Sequence, residues 1–370
     1  MGTARGRRPH RAGWPPLATA VKQNHSELSA RTFVDVHAIQ EELDQVRWGL
    51  HDGAGSEAAQ HAAAEARASV LNLIAVVGNE PELGEISSVL DRLSITNPSR
   101  TLILLAQHTR EADKLEAEVS AQERTESGHR VSTERVILHA HGEPARHLAS
   151  LAAPLLIPDL PVILWWPGRP QFDNPLFDDL CELADRLVVD TDEGFDDADL
   201  TRLLEVARRP KARASIGDLN WARLIAWRHV AAQFFDMPAM LRRLAQIHGV
   251  SVFHGRDGST AQARLLGGWI RSRMATVGID VPIEFRPDDS LEHGVRRFLI
   301  YTGGDEGPAR FSMIRHRGGR LSTHIRLGDQ DVAERTVRLE SRAIEELLSI
   351  ELTLPGHDVL FEQALDAALR

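Results

Sequence analysis

Two histidines have the residue type and the spacing to bind a metal ion. His139 and His141 flank Ala140 at the end of an apolar run, so on a strand both imidazole rings would lie on one face. That arrangement suits two ligands of one metal ion. The chain has one cysteine, Cys181, which excludes an intrachain disulfide and a metal site of cysteines alone, and no Asp/Glu motif completes the set. We therefore interpret the pair as ordinary strand-end histidines and expect no metal.

The sequence lacks the common phosphate-binding and hydrolytic motifs. No G-x-G-x-x-G follows a predicted strand, and G-x-x-x-x-G-K-[ST], G-x-S-x-G and H-E-x-x-H are absent. The first apolar strand ends in Val77-Gly78-Asn79-Glu80-Pro81, without the glycine spacing that lets a backbone approach a pyrophosphate. Acidic pairs such as Asp178-Asp179 and Asp196-Asp197 lie in polar segments and are interpreted as solvated charges. We expect no catalytic residues and no cofactor.

Tryptophans are the next candidates for binding. Trp165 and Trp166 end an apolar strand, so one lies on each face of the sheet, near the carboxyl edge where open α/β sheets bind ligands. They either fill the core or contact a ligand or partner. Trp221, Trp227 and Trp269 lie on predicted helices, where interdomain packing and exposure to a partner are the two alternatives.

One polar group has the chemistry to hold a sugar phosphate. Asn97, Ser99 and Arg100 precede an apolar strand, and Arg100 could form paired hydrogen bonds with phosphate oxygens. With Asp159 and Trp166 they would form a site at the carboxyl edge of the sheet. The alternative explanation is an Asn-Pro turn together with an Asp cap.

The elements that must position these residues begin with five apolar runs. Each run is short, is followed by a helical pattern and is apolar throughout, as expected for parallel strands covered on both faces. The five are Ser69–Gly78, Thr101–Ala106, Arg135–His139, Pro161–Trp166 and Arg186–Asp190. The sequence therefore predicts an α/β domain with a mostly parallel, doubly wound, Rossmann-like sheet.

A second, smaller α+β domain follows a basic segment, residues 208–214. Asp218 stands where a helix N-cap is expected, and later runs alternate between apolar and polar residues around glycine turns. This pattern predicts an antiparallel meander, with two terminal helices covering its other face. The predicted divisions are a disordered basic tail (1–30), the α/β domain with an N-terminal helix (31–213) and the α+β domain (214–370).

Charge and hydropathy exclude two classes of partner. The net charge of −10 opposes binding to a nucleic-acid backbone, which needs a basic surface. The most apolar stretch, Leu148–Pro167, holds four prolines and Asp159, so it does not form a membrane-spanning helix. No apolar signal-peptide region follows the N-terminal arginines. We expect a cytoplasmic protein.

Four strings carry a family resemblance. Ile157–Val162 continuing to Trp165-Trp166-Pro167 is the most specific; Asn97–Arg100, Asp218–Arg228 and Leu266–Ile270 agree with it in order and spacing. Over residues 70 to 350 the chain resembles the glucose-6-phosphate dehydrogenase assembly proteins, also called the OpcA family.

The resemblance implies a non-catalytic activator that binds glucose-6-phosphate dehydrogenase and favours its active oligomer, supporting NADPH production. Some family members are tuned through cysteines, but with Cys181 alone we expect redox-insensitive activation. The alternative function is a sugar-phosphate- or nucleotide-binding enzyme or sensor. The candidate partner- or ligand-binding residues are Asn97, Ser99, Arg100, Asp159, Trp165, Trp166, Asp218, Asn220, Trp221, Trp227 and Arg228.

Overall fold

The computed structural model contains two β-sheets flanked by helices. It describes residues 29–31, 36–51, 69–107, 113–126, 129–209, 214–236, 238–256, 259–290, 293–304, 307–354 and 356–370. Apart from residues 29 and 30, the predicted basic tail lies outside the described residues. None of the described helices combines the length and apolar character needed to cross a membrane.

The first sheet has eight strands in the order β1-β4-β5-β3-β2-β6-β7-β8, and β2, β3 and β5–β8 are parallel. All five predicted apolar strands are present, which confirms the α/β prediction. The strands are β1 (Ser29–Arg31), β2 (Leu71–Val77), β3 (Ser99–Gln107), β4 (Lys114–Glu126), β5 (His129–His141), β6 (Val162–Trp166), β7 (Arg186–Val189) and β8 (Ser215–Asp218).

Three strands of this sheet, β1, β4 and β8, were missed by the sequence analysis. β4 pairs antiparallel with β5, and its buried Ala117, Val119 and Ala121 alternate with polar residues, so it has no apolar run. β8 has only four residues and pairs with β7. Because β8 follows residue 213, the predicted domain boundary falls one strand before the first sheet is complete.

Helices cover both faces of the first sheet, and alternate strand residues enter two separate cores. Ile74 and Trp166 belong to one core with α1, α3, α4 and α5; Ala75 and Trp165 belong to the other with α2. The two tryptophans therefore point to opposite helical layers, as their adjacent positions predict. The helices are α1 (Val36–His51), α2 (Glu80–Leu93), α3 (Leu148–Ala152), α4 (Pro175–Leu183) and α5 (Asp197–Arg208).

The second sheet contains the predicted antiparallel meander, β11 to β14, with β9 beside β11 and β10 parallel to β9. Its strands are β9 (Ile247–His254), β10 (Ile283–Pro287), β11 (Val295–Thr302), β12 (Ala309–His316), β13 (Arg320–Leu327) and β14 (Gln330–Arg338). The remaining helices are α6 (Leu219–Arg223), α7 (Ile225–Gln233), α8 (Pro238–Leu244), α9 (Ala261–Ala275), α10 (Ile344–Leu352) and α11 (Val359–Ala368).

The prediction for the two terminal helices was wrong. Leu347 and Leu348 of α10 enter the core of the first sheet beside α2, rather than covering the meander. α11 packs on α9, where a Cβ at Gly268 would collide with the backbone of Ala364. The physical reason is that α2 leaves part of its sheet face open, and α10 buries its leucines there.

Candidate functional site

The turn between β2 and α2 is where Rossmann folds bind phosphate, and here it is occupied by a carboxylate of the chain itself. The Gly78 N–H donates to Glu82 Oε2 at 2.8 Å, and the Glu82 N–H donates to Asn79 Oδ1 at 2.9 Å. Backbone donors at such a helix N-terminus are the groups that ordinarily hold a phosphate. Glu82 therefore occupies this turn with its own negative charge.

The neighbouring strand ends add further negative charge. After β7, Asp190 accepts two hydrogen bonds from Arg223, at 2.6 and 2.7 Å. Asp192 and Glu193 follow, and burial raises the pKa of both carboxyls. This carboxyl edge suits a cation or neutral group better than a phosphate.

Asp218 is fully buried at the end of β8 and caps α6. Its carboxylate accepts from the Thr191 N–H (3.0 Å), the Thr191 hydroxyl (2.8 Å) and the Asn220 N–H (3.0 Å). The predicted N-cap is therefore present. Burial raises the pKa of Asp218 to about 7, with Asp190 adding to the effect.

Asn220 continues this buried polar network to the second sheet. Its Nδ2 donates to Thr191 Oγ1 (3.3 Å), and its Oδ1 accepts from Gln262 Nε2 on α9 (2.9 Å). Gln262 Oε1 in turn accepts from the Val295 N–H of β11 (2.8 Å). Asp218 and Asn220 thus connect the two sheets, and neither is accessible to a partner.

Trp221 and Arg228, two of the predicted binding residues, are in contact: Trp221 is 2% exposed and belongs to the core, and the half-buried Arg228 covers its ring. The Arg228 guanidinium lies 3.4 Å from the centroid of the Trp221 ring, and its Nη2 donates to the Trp221 carbonyl at 3.3 Å. Trp221 Nε1 donates to Asp358 Oδ2 (3.0 Å) before α11. Desolvation lowers the pKa of Arg228 to about 10, so the cation is held at an energetic cost.

These two residues line a cleft of about 430 Å³, which we call the Trp221 cleft. It lies between α6, α7, α10 and α11, and most of its lining is apolar. Its apolar side chains are Trp221, Ala222, Ile225, Ile350, Leu354, Val359 and Leu360. Leu354, Val359 and Leu360 are exposed, and an exposed apolar group beside one arginine is typical of a protein-binding surface.

A buried ion pair supports the floor of the cleft. Arg186 Nη2 and Glu351 Oε2 lie 2.5 Å apart, and Arg186 Nη1 donates to the Gly356 carbonyl at 2.8 Å. A Cβ at Gly217 would collide with both charged groups, which explains the glycine in β8. The sequence analysis missed this pair; the signal was an arginine opening an otherwise apolar buried strand.

The structure separates the residues of the predicted sugar-phosphate site. Asn97 and Asp159 precede parallel strands and Ser99 and Arg100 begin β3, so all four lie at the amino edge, whereas Trp166 lies at the carboxyl end of β6. The expectation of a shared site at the carboxyl edge was therefore wrong. Residues at the beginning of a parallel strand lie at the amino edge of the sheet, and the prediction had assigned them to the opposite edge.

Arg100 also has partners within the fold. Its Nη2 lies 2.6 Å from Glu134 Oε2 in a buried ion pair, and its Nη1 donates to the Leu155 carbonyl at 2.8 Å. Ser99 is buried as well and contacts Thr101 Oγ1 at 3.1 Å. These contacts leave Arg100 occupied as a structural cation.

The remaining predicted residues are structural. Trp165, Trp166 and Trp227 are buried in the cores. His139 lies within 3.4 Å of Glu80 and 3.2 Å of Glu118. Among the residues that the structure describes, no group of three His, Cys, Asp or Glu side chains is arranged to hold a metal ion.

Comparison with protein families gives two adjacent matches. Residues 90–208 match a model described as the N-terminal domain of a glucose-6-phosphate dehydrogenase subunit. Residues 214–365 match a second model, described as the C-terminal domain of the same kind of protein. Together they extend over nearly three quarters of the chain.

Curated relatives give the same assignment. An OxPP cycle protein OpcA of Synechocystis sp. is 29% identical over 198 residues, covering 52% of this chain and 40% of the relative. The protein of that name from Nostoc punctiforme is 30% identical over 190 residues, with coverages of 50% and 40%. The alignments thus span about two fifths of each relative.

Solved structures align at lower identity. A 3-ketoreductase from Actinomadura kijaniata, KijD10, is 12% identical with a TM-score of 0.44, covering 80% of this chain and 95% of the other. A levoglucosan dehydrogenase is 9% identical with a TM-score of 0.41, and the coverages are 80% and 94%.

Proposed function

The chain belongs to the glucose-6-phosphate dehydrogenase assembly protein (OpcA) family, and from this premise we propose that it is a non-catalytic assembly factor. It binds glucose-6-phosphate dehydrogenase and favours the active oligomer of that enzyme. By doing so it supports NADPH production in the oxidative pentose phosphate pathway.

The observation that carries the non-catalytic part of the proposal is the contact between Gly78 and Glu82. A phosphate at this turn would have to displace the Glu82 carboxylate from the Gly78 N–H. The phosphate would also approach the carboxylates of Asp190, Asp192 and Glu193, and repulsion between these like charges would oppose its binding. A Rossmann-like sheet built in this way is better suited to a structural role than to binding a dinucleotide.

The Trp221 cleft is the surface through which we propose that the chain contacts the dehydrogenase. When a partner side chain covers its exposed leucines and valine, the complex is stabilised by about 25 cal/mol per Å² of buried apolar surface. Activation needs only a small difference in affinity. A tenfold shift toward the active oligomer requires about 1.4 kcal/mol of tighter binding to that state.

The test is a titration of glucose-6-phosphate dehydrogenase from the same organism with this chain, with sedimentation velocity alongside. We expect a saturable rise in rate together with a heavier species. If the rate does not change during the titration and the two proteins do not co-sediment, the proposed function is wrong.

A matched pair of variants tests the cleft itself. Leu360 in the cleft is 47% exposed, and Leu241 on α8 is 55% exposed. Leu360→Asp places a charge where the partner would bury an apolar group, so it should weaken activation. Leu241→Asp makes the same change elsewhere and should leave activation unchanged. Equal effects of the two variants would place the contact outside the cleft.

A further inference from the structure

One face of the second sheet carries alternate side chains that enter neither core. Val252, Phe298 and Phe311 point toward α9 and belong to the main core. The residues between them, such as Ser251 and Leu299, point to the opposite side, which we call the outer face. Leu299 belongs to neither core cluster.

The centre of the outer face is largely buried. Register places Ser251 opposite Leu299, Leu299 opposite Ser312, and Ile314 opposite Ser322 on four neighbouring strands. The three serines and Leu299 are only 4–9% exposed, and the larger side chains of Phe253 and Tyr301 lie on the same face. Within the described residues, α9 is the helix that packs on this sheet, and it contacts the other side through Ile283 and Phe285.

Arginines surround this buried centre. The outer face has six: Arg286, Arg297, Arg310, Arg320, Arg326 and Arg338. Its acidic residues are Glu284, Asp288, Asp331 and Glu334, so the face is still net positive, on a chain whose net charge is −10. Within the described part of the chain, Arg310, Arg320 and Arg338 form no ion pair.

Charge decides what kind of surface can cover the outer face. A second copy bound symmetrically would bring two arginine-rich faces together, and like charges at an interface oppose binding. An acidic surface would pair with Arg310, Arg320 and Arg338. We infer that the outer face binds an acidic surface of the partner protein. The inference rests on the proposed function, because it takes the dehydrogenase to be that partner.

A charge-reversal pair tests the inference with the full chain. Arg310→Glu combined with Arg326→Glu reverses two charges on the outer face. Arg146→Glu combined with Arg202→Glu makes the same change of net charge at exposed positions elsewhere. We expect the outer-face variant to bind the dehydrogenase about tenfold more weakly than the control variant. Raising the salt concentration should weaken binding of the wild-type chain more than that of the outer-face variant.

The outcomes separate the inference from the proposed function. Binding by the wild-type chain and equal affinities of both double variants would overturn the inference and keep the assembly function. If the wild-type chain does not bind the dehydrogenase, both the inference and the proposed function are wrong. Sedimentation of the chain alone gives a further check. If the wild-type chain forms a dimer and the outer-face variant does not, the outer face binds a second copy of the chain, and the inference is overturned.

Discussion

Arg186 and Glu351 form a buried ion pair across 165 positions of the chain, with their side chains 2% and 1% exposed. Arg186 opens β7 in the first sheet, and Glu351 lies near the end of α10. Helix α10 is thereby held against the first sheet by charge as well as by its leucines. It also forms one wall of the Trp221 cleft.

Breaking this pair should destabilise the protein strongly. In Glu351→Gln the Arg186 cation stays buried without its carboxylate, a change that typically costs about 3–5 kcal/mol. Urea denaturation measures it as a lower free energy of unfolding. The control is Glu345→Gln on the same helix, whose partner Arg92 is half-exposed, so solvent screens the pair. Equal losses in the two variants would contradict this account.

Asp218 makes stability depend on pH in a direction opposite to that of most carboxyls. Its pKa in the folded protein is raised to about 7, above its unfolded value near 3.8. Between these values the folded state binds more protons, so stability falls as pH rises from 5 to 7.

The isostere Asp218→Asn cannot titrate, yet it can keep the contacts to Thr191 and Asn220. We expect the free energy of unfolding of the variant, relative to wild type, to rise by about 2 kcal/mol between pH 5 and 7. Urea denaturation at both pH values measures it. A difference that stays constant with pH would mean that the three donors hold Asp218 ionised.

Cys181 should be chemically inert in the folded protein. It is buried on α4, and desolvation raises the pKa of its thiol to about 12, so almost no thiolate is present at neutral pH. Iodoacetamide should modify it only after unfolding in urea, as measured by mass spectrometry. Activation of the dehydrogenase should likewise be the same with and without a reductant. Rapid alkylation of the native chain would contradict the prediction.

Phosphorylated metabolites should not stabilise this chain. Glu82 already occupies the Gly78 N–H, and Arg100 is paired with Glu134. Any ligand of the folded state raises the Tm, so glucose 6-phosphate, 6-phosphogluconate and NADP can be compared by thermal shift. We expect no concentration-dependent rise. A saturable rise would favour the alternative function, a sugar-phosphate or nucleotide sensor.

The sequence predicted elements well where one local pattern determined them. The parallel strands of the first sheet are apolar throughout because both faces are covered, and the meander alternates because one face is open. β4 was missed because only its alternate residues are buried, and β8 because four residues carry too little pattern. The position of α10 depends on the open area beside α2, a tertiary property that no local pattern contains.

The sequence identified individual residues of the candidate site, but it did not predict which of them lie together in space. Trp221 and Arg228 were named, and they meet because seven residues place them on consecutive short helices. Glu351 and Leu360, which complete the cleft, are more than a hundred residues away and have no distinguishing local sequence. The amino edge and the carboxyl edge were confused at Arg100 and Asp159, since both positions adjoin apolar strands.

Arg228 provides the sharpest test of the Trp221 cleft. When Arg228 is replaced, a structural role predicts a lower free energy of unfolding, whereas a binding role predicts an unchanged or higher one. The guanidinium is largely desolvated, which lowers its pKa to about 10, and its Nε has no hydrogen-bond partner among the described residues. Replacing such a cation with an apolar side chain of similar length is often neutral or stabilising. Arg228→Met should therefore keep or raise the free energy of unfolding, while Met still packs on Trp221.

The same variant should weaken activation of the dehydrogenase, because the cleft loses the cation that lies over Trp221. Stability maintained with function reduced is the pattern of a residue kept for binding. Urea denaturation and the activity titration, run on one preparation, measure both effects. Arg228→Lys is the control, since it keeps the charge but loses the planar stacking, and it should retain part of the activation. A loss of more than about 1 kcal/mol of stability in Arg228→Met would instead assign Arg228 to the fold.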